Sequence, residues 1–182
     1  QIFDFTHKRK RSFFGKGLVA HVSVAEPFCD SLSDILEDAI KETDANYHRG
    51  GTYITIEGPR FSTKGESSMY RQWGMDIIGM TASPEVFLAR EAEICYTTMA
   101  HVTDYDVWHV SEETVTVEMV VRTLLKNVRI AQETIKKMVD RIDETEQCEC
   151  GEALKDAIIT SPDHIDAEKR KQLDLLVKNY LD

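Results

Sequence analysis

Apolar positions in this chain follow two patterns that alternate along its length. Short runs rich in β-branched and small residues predict strands at Leu18–Glu26 (LVAHVSVAE), Thr52–Glu57 (TYITIE), Asp76–Met80 (DIIGM) and Cys95–Thr103 (CYTTMAHVT). Between them, spacing of three and four residues predicts helices. Leu32, Ile35, Leu36, Ala39 and Ile40 share the face of a helix that Ser31 is placed to cap. ESSMYRQW reads as a shorter helix stopped by Gly74. SPEVFLAREAEI opens with Ser83 as cap, Pro84 at the first helical position and Glu85 in the first turn. The longest helix is expected over 117–142. Val117, Val120, Val121, Leu124, Val128, Ala131, Ile135, Met138 and Ile142 lie in register there, with Thr116 as cap. A last amphipathic helix covers 166–181, with Leu173, Leu176, Val177 and Tyr180 on its apolar side.

Strand–helix alternation implies an α/β layered domain with helices on both faces of the sheet, and 182 residues suit one domain with no second. Ligands of such sheets gather beyond the carboxyl ends of the strands. Three segments fall there: the loop GPRFST (58–63) behind a Gly58-Pro59 breaker, MTAS (80–83) and TDYDVW (103–108). The last places Asp104 and Asp106 one residue apart at the end of a buried strand. Spacing alone favours a solvated turn. Position at a predicted binding edge favours a pair of carboxylates that reads a substrate.

Charge narrows the choice of partners. A net charge of -10, from 22 basic and 32 acidic residues, argues against a nucleic-acid surface. The one basic run, HKRKR (7–11), reads as a solvated loop rather than a phosphate-binding patch. No apolar run reaches the roughly 18–20 residues of a membrane span, and no apolar segment follows the basic cluster as in a signal peptide, so a cytoplasmic protein is expected. The four cysteines are Cys29, Cys95, Cys148 and Cys150. Two are isolated and CEC leaves a single residue between the others, so ordinary thiols are favoured over a metal site. Disulfides remain a third option.

TYITIEGPRFSTKGES, WGMDIIGMTASPEVFLAREAEICY and HVTDYDVWH resemble the trimeric purine nucleoside phosphorylase family, closest to its 5'-methylthioadenosine phosphorylase branch. The resemblance is collinear from Gln1 to about Asp143. It implies a three-layer α-β-α fold with a mixed central sheet. It also implies that the chain is the C-terminal portion of one phosphorylase domain, incomplete without an N-terminal segment that carries a glycine-rich phosphate loop. The chain by itself is then expected to be inactive and poorly folded, with an unpaired sheet edge and exposed apolar surface.

The implied reaction is phosphorolysis of 5'-methylthioadenosine to adenine and 5-methylthioribose 1-phosphate, a step of purine and methionine salvage. Phosphate is the co-substrate and no cofactor or metal is involved. By resemblance Asp104 faces purine N7 as proton donor, its carboxyl kept protonated by burial beside Asp106, which accepts from the exocyclic amine. Phe61 packs on the base. Ser62 stands where enzymes for 6-oxopurines carry glutamate, and Asp104 where they carry asparagine. Met80 lies under the ribose and the Thr81 hydroxyl meets phosphate. Val117, a core position by periodicity, stands where a histidine would hold a 5'-hydroxyl; an apolar residue there suits a methylthio group, and Val120 lines the same pocket. His21, otherwise a satisfied core or interface histidine, resembles a residue reaching into the next subunit of a trimer or dimer of trimers. The QCECGEALKDAIIT tail resembles the Cys-x-Cys tail of thermophilic archaeal relatives, which puts a Cys148–Cys150 or Cys29–Cys95 disulfide in play. The alternatives are a broad purine nucleoside phosphorylase acting on adenosine, inosine or guanosine, and a non-catalytic purine-binding subunit.

Overall fold

The computed structural model describes residues 1–109, 117–143 and 148–181. Three parallel strands, β1 (Ile2–Phe5), β2 (Tyr53–Ile56) and β3 (Ile77–Gly79), form a sheet in that order, with Ile2 opposite Tyr53 and Tyr53 opposite Ile77. All four residues of β2 are buried, as expected of a central parallel strand covered on both faces. The mixed character expected of the whole sheet is not represented among the described strands, which are all parallel.

Helices α1 (Asp30–Lys41), α2 (Lys64–Gln72), α3 (Glu85–Glu91), α4 (Val117–Val139) and α5 (Ala167–Val177) follow the expected order. Ile54 and Ile56 pack with Tyr70 of α2 on one face of the sheet, joined by Met69, Met75, Ile78 and Met80. The alternate residues Tyr53 and Thr55 face the other side. There Tyr53 and Ile77 line a cavity of about 860 Å³ whose further walls come from α1 and α4. A separate small core joins Leu18 to Leu173, Val177 and Leu181.

Several local expectations shift. The α1 cap is Cys29, whose sulfur accepts from the Leu32 N–H at 3.4 Å, which leaves Ser31 inside the first turn. Pro84 itself occupies the cap position of α3, so Ser83 lies one residue outside it. α4 stops at Val139 rather than Ile142. By contrast, α2 carries a full capping box between Thr63 and Glu66, and Gly74 follows its end at φ +79.

Two predicted strands are not strands. Over Leu18–Glu26 the backbone makes short antiparallel contacts with the C-terminal segment: Ala20 bridges Ile158, and His21 N–H donates to the Ala157 carbonyl at 2.8 Å. The apolar run there is spent on the Leu18 core rather than on the sheet. Cys95–Thr103 has no assigned element and no ladder partner among the described residues; Thr97 to Val102 instead line the 860 Å³ cavity. A strand needs a neighbour as well as a pattern.

The basic run is also more than a solvated loop. Glu57, just beyond β2, accepts from the backbone N–H groups of His7 (2.6 Å) and Lys8 (3.0 Å) and pairs with Arg9. Those backbone donors, with the Arg9 guanidinium, hold its carboxyl at about 2, down from an ordinary 4.5. A depressed folded-state value stabilises the fold above about pH 4.5, and that contribution is lost as pH falls toward 2. Glu57→Gln is therefore expected to lower the urea midpoint at neutral pH, with the gap to the parent closing between pH 4.5 and 2. Parallel curves over that range would contradict it.

Candidate active site

Beyond the carboxyl end of β2 the chain turns through Gly58, which takes a φ of +68. A Cβ at Gly58 would lie 2.6 Å from the Met80 sulfur, so the loops after β2 and β3 touch only because this residue is glycine. Gly58→Ala is expected to cost about 1–3 kcal/mol through overpacking and the strained backbone, read from urea denaturation at constant m-value. Unchanged stability would mean that Met80 moves aside freely.

Arg9 fastens the same two loops. Its guanidinium donates to the carbonyls of Met80 (2.9 Å) and Ser83 (2.6 Å) through Nη1, and to those of Glu57 (3.1 Å) and Ile56 (3.4 Å) through Nη2. Thr81 is exposed but its loop is held from below. The Tyr53 hydroxyl accepts from Thr81 N–H at 3.3 Å and shares a hydrogen bond with Thr81 Oγ1 at 3.2 Å, while Thr55 Oγ1 donates to the Thr81 carbonyl at 2.8 Å. The hydroxyl assigned to phosphate is thus oriented by two residues on one face of β2.

Phe61 is 82% exposed, a large ring with no cover. Ser62 beside it has a buried hydroxyl oxygen with no hydrogen-bond partner among the described residues, as do Ser67, Ser83, Thr98 and Thr134. Met80 is half-buried against the Ile54–Ile56–Tyr70 cluster. These residues and Thr81 come from the expected adjacent loops.

The acid pair is tied down differently. Asp104 is exposed, and accepts from the Thr103 hydroxyl at 2.7 Å. Asp106 is half-buried and caps its own turn by accepting from Val107 N–H at 2.9 Å. The burial expected to keep Asp104 protonated is therefore not supplied by the described residues, which leave its side chain exposed. The segment hangs on α2 and α4 through Arg71 stacked 3.9 Å over the Trp108 ring and Asn127 Nδ2 donating to the Val102 carbonyl at 3.1 Å. Burial first, then the charge of Glu66 and a smaller effect of Asp106, push the Tyr70 hydroxyl up, with Arg60 opposing. Among the described residues neither acid hydrogen-bonds to Phe61, Ser62, Met80 or Thr81.

His21 is exposed and lines a separate cavity of about 320 Å³ with Arg11, Phe87 and Glu91, apart from the Met80–Thr81 loop. The side chains of Val117 and Val120, and the cap expected at Thr116, lie outside the described residues. The larger, 860 Å³ cavity opens at the amino edge of the strands, past Gln1, Gly51 and Asp76, opposite the binding edge.

Sequence reasoning missed Arg9, Tyr53 and Thr55. Arg9 is one of several adjacent cations, and the two strand residues look like ordinary β-formers. It also missed the cysteines' convergence. Cys29, Cys95, Cys148 and Cys150 are free thiols whose sulfurs all lie within 4.8 Å of one another. The pair in closest recorded contact is Cys95–Cys148, at 3.1 Å, rather than either pair expected to bridge.

No described helix is long and apolar enough to cross a membrane. The chain is 47% identical over its whole length to the S-methyl-5'-thioadenosine phosphorylase of Geobacter sulfurreducens, of which it covers 64%. It is 44% identical over 99% of its length to that of Koribacter versatilis, covering 62% of it. Its structure is similar to a methylthioadenosine phosphorylase from an antarctic soil metagenomic library, with a TM-score of 0.90 at 44% identity, covering 97% of this chain and 63% of the other. The Schistosoma mansoni methylthioadenosine phosphorylase in complex with adenine follows at 0.76 and 36% identity, over 85% of this chain and 62% of the other. The chain thus spans less than two thirds of the length of each of these relatives. Residues 1–142, from β1 through the whole of α4, match the common pattern of one family, and the chain belongs to the Phosphorylase superfamily.

Proposed function

We propose that the protein containing this chain carries out phosphorolysis of 5'-methylthioadenosine, releasing adenine and 5-methylthioribose 1-phosphate. The observation that carries this reading is the meeting, at one sheet edge, of the loops after β2 and β3 that carry Phe61–Ser62 and Met80–Thr81, joined at Gly58–Met80 and through Arg9. Similarity along this whole chain to just under two thirds of the length of phosphorylases of that name supports it.

Phosphate attacks C1' of the ribose as the bond to purine N9 breaks, and the bonding electrons pass to the purine. Asp104 gives a proton to N7 of that leaving base. Asp106 accepts from the exocyclic amine, Phe61 packs on the ring and Ser62 hydrogen-bonds to the base without excluding an amino group. Met80 supports the ribose, and Thr81, oriented by Tyr53, meets the phosphate co-substrate. No cofactor or metal takes part in this chemistry. Val117 and Val120 line an apolar 5' pocket, which His21 of a neighbouring subunit completes in a trimer or dimer of trimers.

An N-terminal segment of the protein, or a separate chain, completes the sheet and brings the remaining phosphate ligands. It fills the 860 Å³ cavity, pairs with the unladdered 97–102 segment and covers α4, where Val121, Leu124, Leu125, Val128, Ile135 and Val139 are exposed. With the site closed in this way, water is excluded from Asp104 and from the base it faces.

Competing kinetics with the complete protein test the reading. Methylthioadenosine is expected to be preferred over inosine by at least about tenfold in kcat/KM. Preference for inosine would assign a broad purine range instead, and purine binding without turnover would assign a silent subunit.

A further inference from the structure

We propose that Cys29, Cys95, Cys148 and Cys150 form a four-thiolate site for one zinc ion, which staples the C-terminal segment to the α/β body. Tetrahedral zinc with Zn–S bonds of about 2.3 Å places its sulfurs about 3.8 Å apart. The four sulfurs here all lie within 4.8 Å of one another, with Cys29–Cys148 at 3.9 Å and Cys95–Cys148 at 3.1 Å. An ion at their centre needs movements of ångström size and no change of backbone path.

The surroundings suit thiolates. Binding releases four thiol protons and leaves a zinc–tetrathiolate of net charge minus two. The Arg90 guanidinium reaches Cys150 Sγ at 3.3 Å through Nη1, and its Nε is fixed on the Ser23 carbonyl at 3.2 Å, so a cation is already held against the cluster. Cys29 caps α1, and its sulfur accepts from Leu32 N–H at the positive end of that helix. Both contacts strengthen when sulfur is anionic.

The donor set assigns the role. Four protein sulfurs complete a tetrahedron and leave no position for substrate, so the ion is structural. It joins three distant parts of the chain: the start of α1, the residues after α3, and the 3-10 turn at Glu149–Glu152. Cys95 and Cys148 are 53 residues apart, and Cys29 and Cys148 are 119 apart, so each link closes a long loop. Elsewhere the tail is held just beyond α3 through Glu93, which accepts from Leu154 N–H and the Tyr180 hydroxyl.

The test uses the complete protein, without a polyhistidine tag, purified under reductant and assayed by elemental analysis and cobalt substitution. One equivalent of zinc per chain is expected, and the cobalt form should show intense sulfur-to-cobalt charge-transfer bands with tetrahedral d–d absorption. Cys95→Ser, at the most exposed ligand, and Arg90→Met should each weaken zinc retention by at least about tenfold. Chelation under reductant should lower Tm by about 4 °C or more, reversibly on adding zinc. Four titratable thiols with no zinc and no cobalt bands would overturn the proposal. So would an intact mass showing two disulfides in protein kept anaerobic throughout purification. The cobalt spectrum of the parent protein decides the matter even if a variant fails to fold.

Discussion

Asp104→Ala in the complete protein is expected to lower kcat/KM for methylthioadenosine by about 100- to 10,000-fold, the range that a positioned proton donor contributes. A departing purine anion is a poor leaving group, and protonation at N7 lets it take the bonding electrons as a neutral base. The same substitution should leave stability within about 0.5 kcal/mol of the parent, because the carboxyl's one recorded partner is the adjacent Thr103 hydroxyl. Steady-state kinetics and denaturation on one preparation separate the two effects. Parental turnover by the variant would remove Asp104 from the chemistry. Large destabilisation would make it a structural residue.

Arg9→Ala should have the largest effect on stability, about 2–4 kcal/mol by urea denaturation, since a charged group's hydrogen bonds are worth about 1.5–3 kcal/mol each and are not additive. The guanidinium serves the carbonyls of Ile56, Glu57, Met80 and Ser83 at once, and its removal leaves acceptors at the ends of two strands without a donor. Arg9→Lys should recover less than half of the loss, because one ammonium on a flexible stem does not span that planar fork. Arg9 touches the loop that carries Met80 and Thr81 rather than the reacting atoms. The surviving fraction of Arg9→Lys is therefore expected to show a raised KM for methylthioadenosine and phosphate, with kcat less affected. Full rescue by lysine would mean that charge rather than fork geometry holds the loops.

Local regularities in the chain foretold much of this molecule because burial writes them. TYITIE is apolar and β-branched because β2 is covered on both faces, and the Thr63–Glu66 box and Gly74 mark the ends of α2 by chemistry confined to a few residues. The loops after β2 and β3, and the residues Phe61, Ser62, Met80 and Thr81 on them, follow from strand order and the family motifs.

What failed to appear in the sequence depends on partners far along the chain. Leu18–Glu26 and Cys95–Thr103 carry strand patterns, yet pattern reports burial and not which backbone lies alongside. Arg9 looks like its neighbours Lys8 and Lys10 until the carbonyls around it are known. The cysteines show the division most plainly. Their spacing spoke against a metal, whereas the folded path brings sulfurs up to 119 residues apart within 4.8 Å of one another. The sequence by itself determined the helices, the strands β2 and β3 and the family, because each is encoded within a few turns of chain. Tertiary structure alone decided which charges, carbonyls and thiols meet, because such meetings depend on the path of the whole backbone.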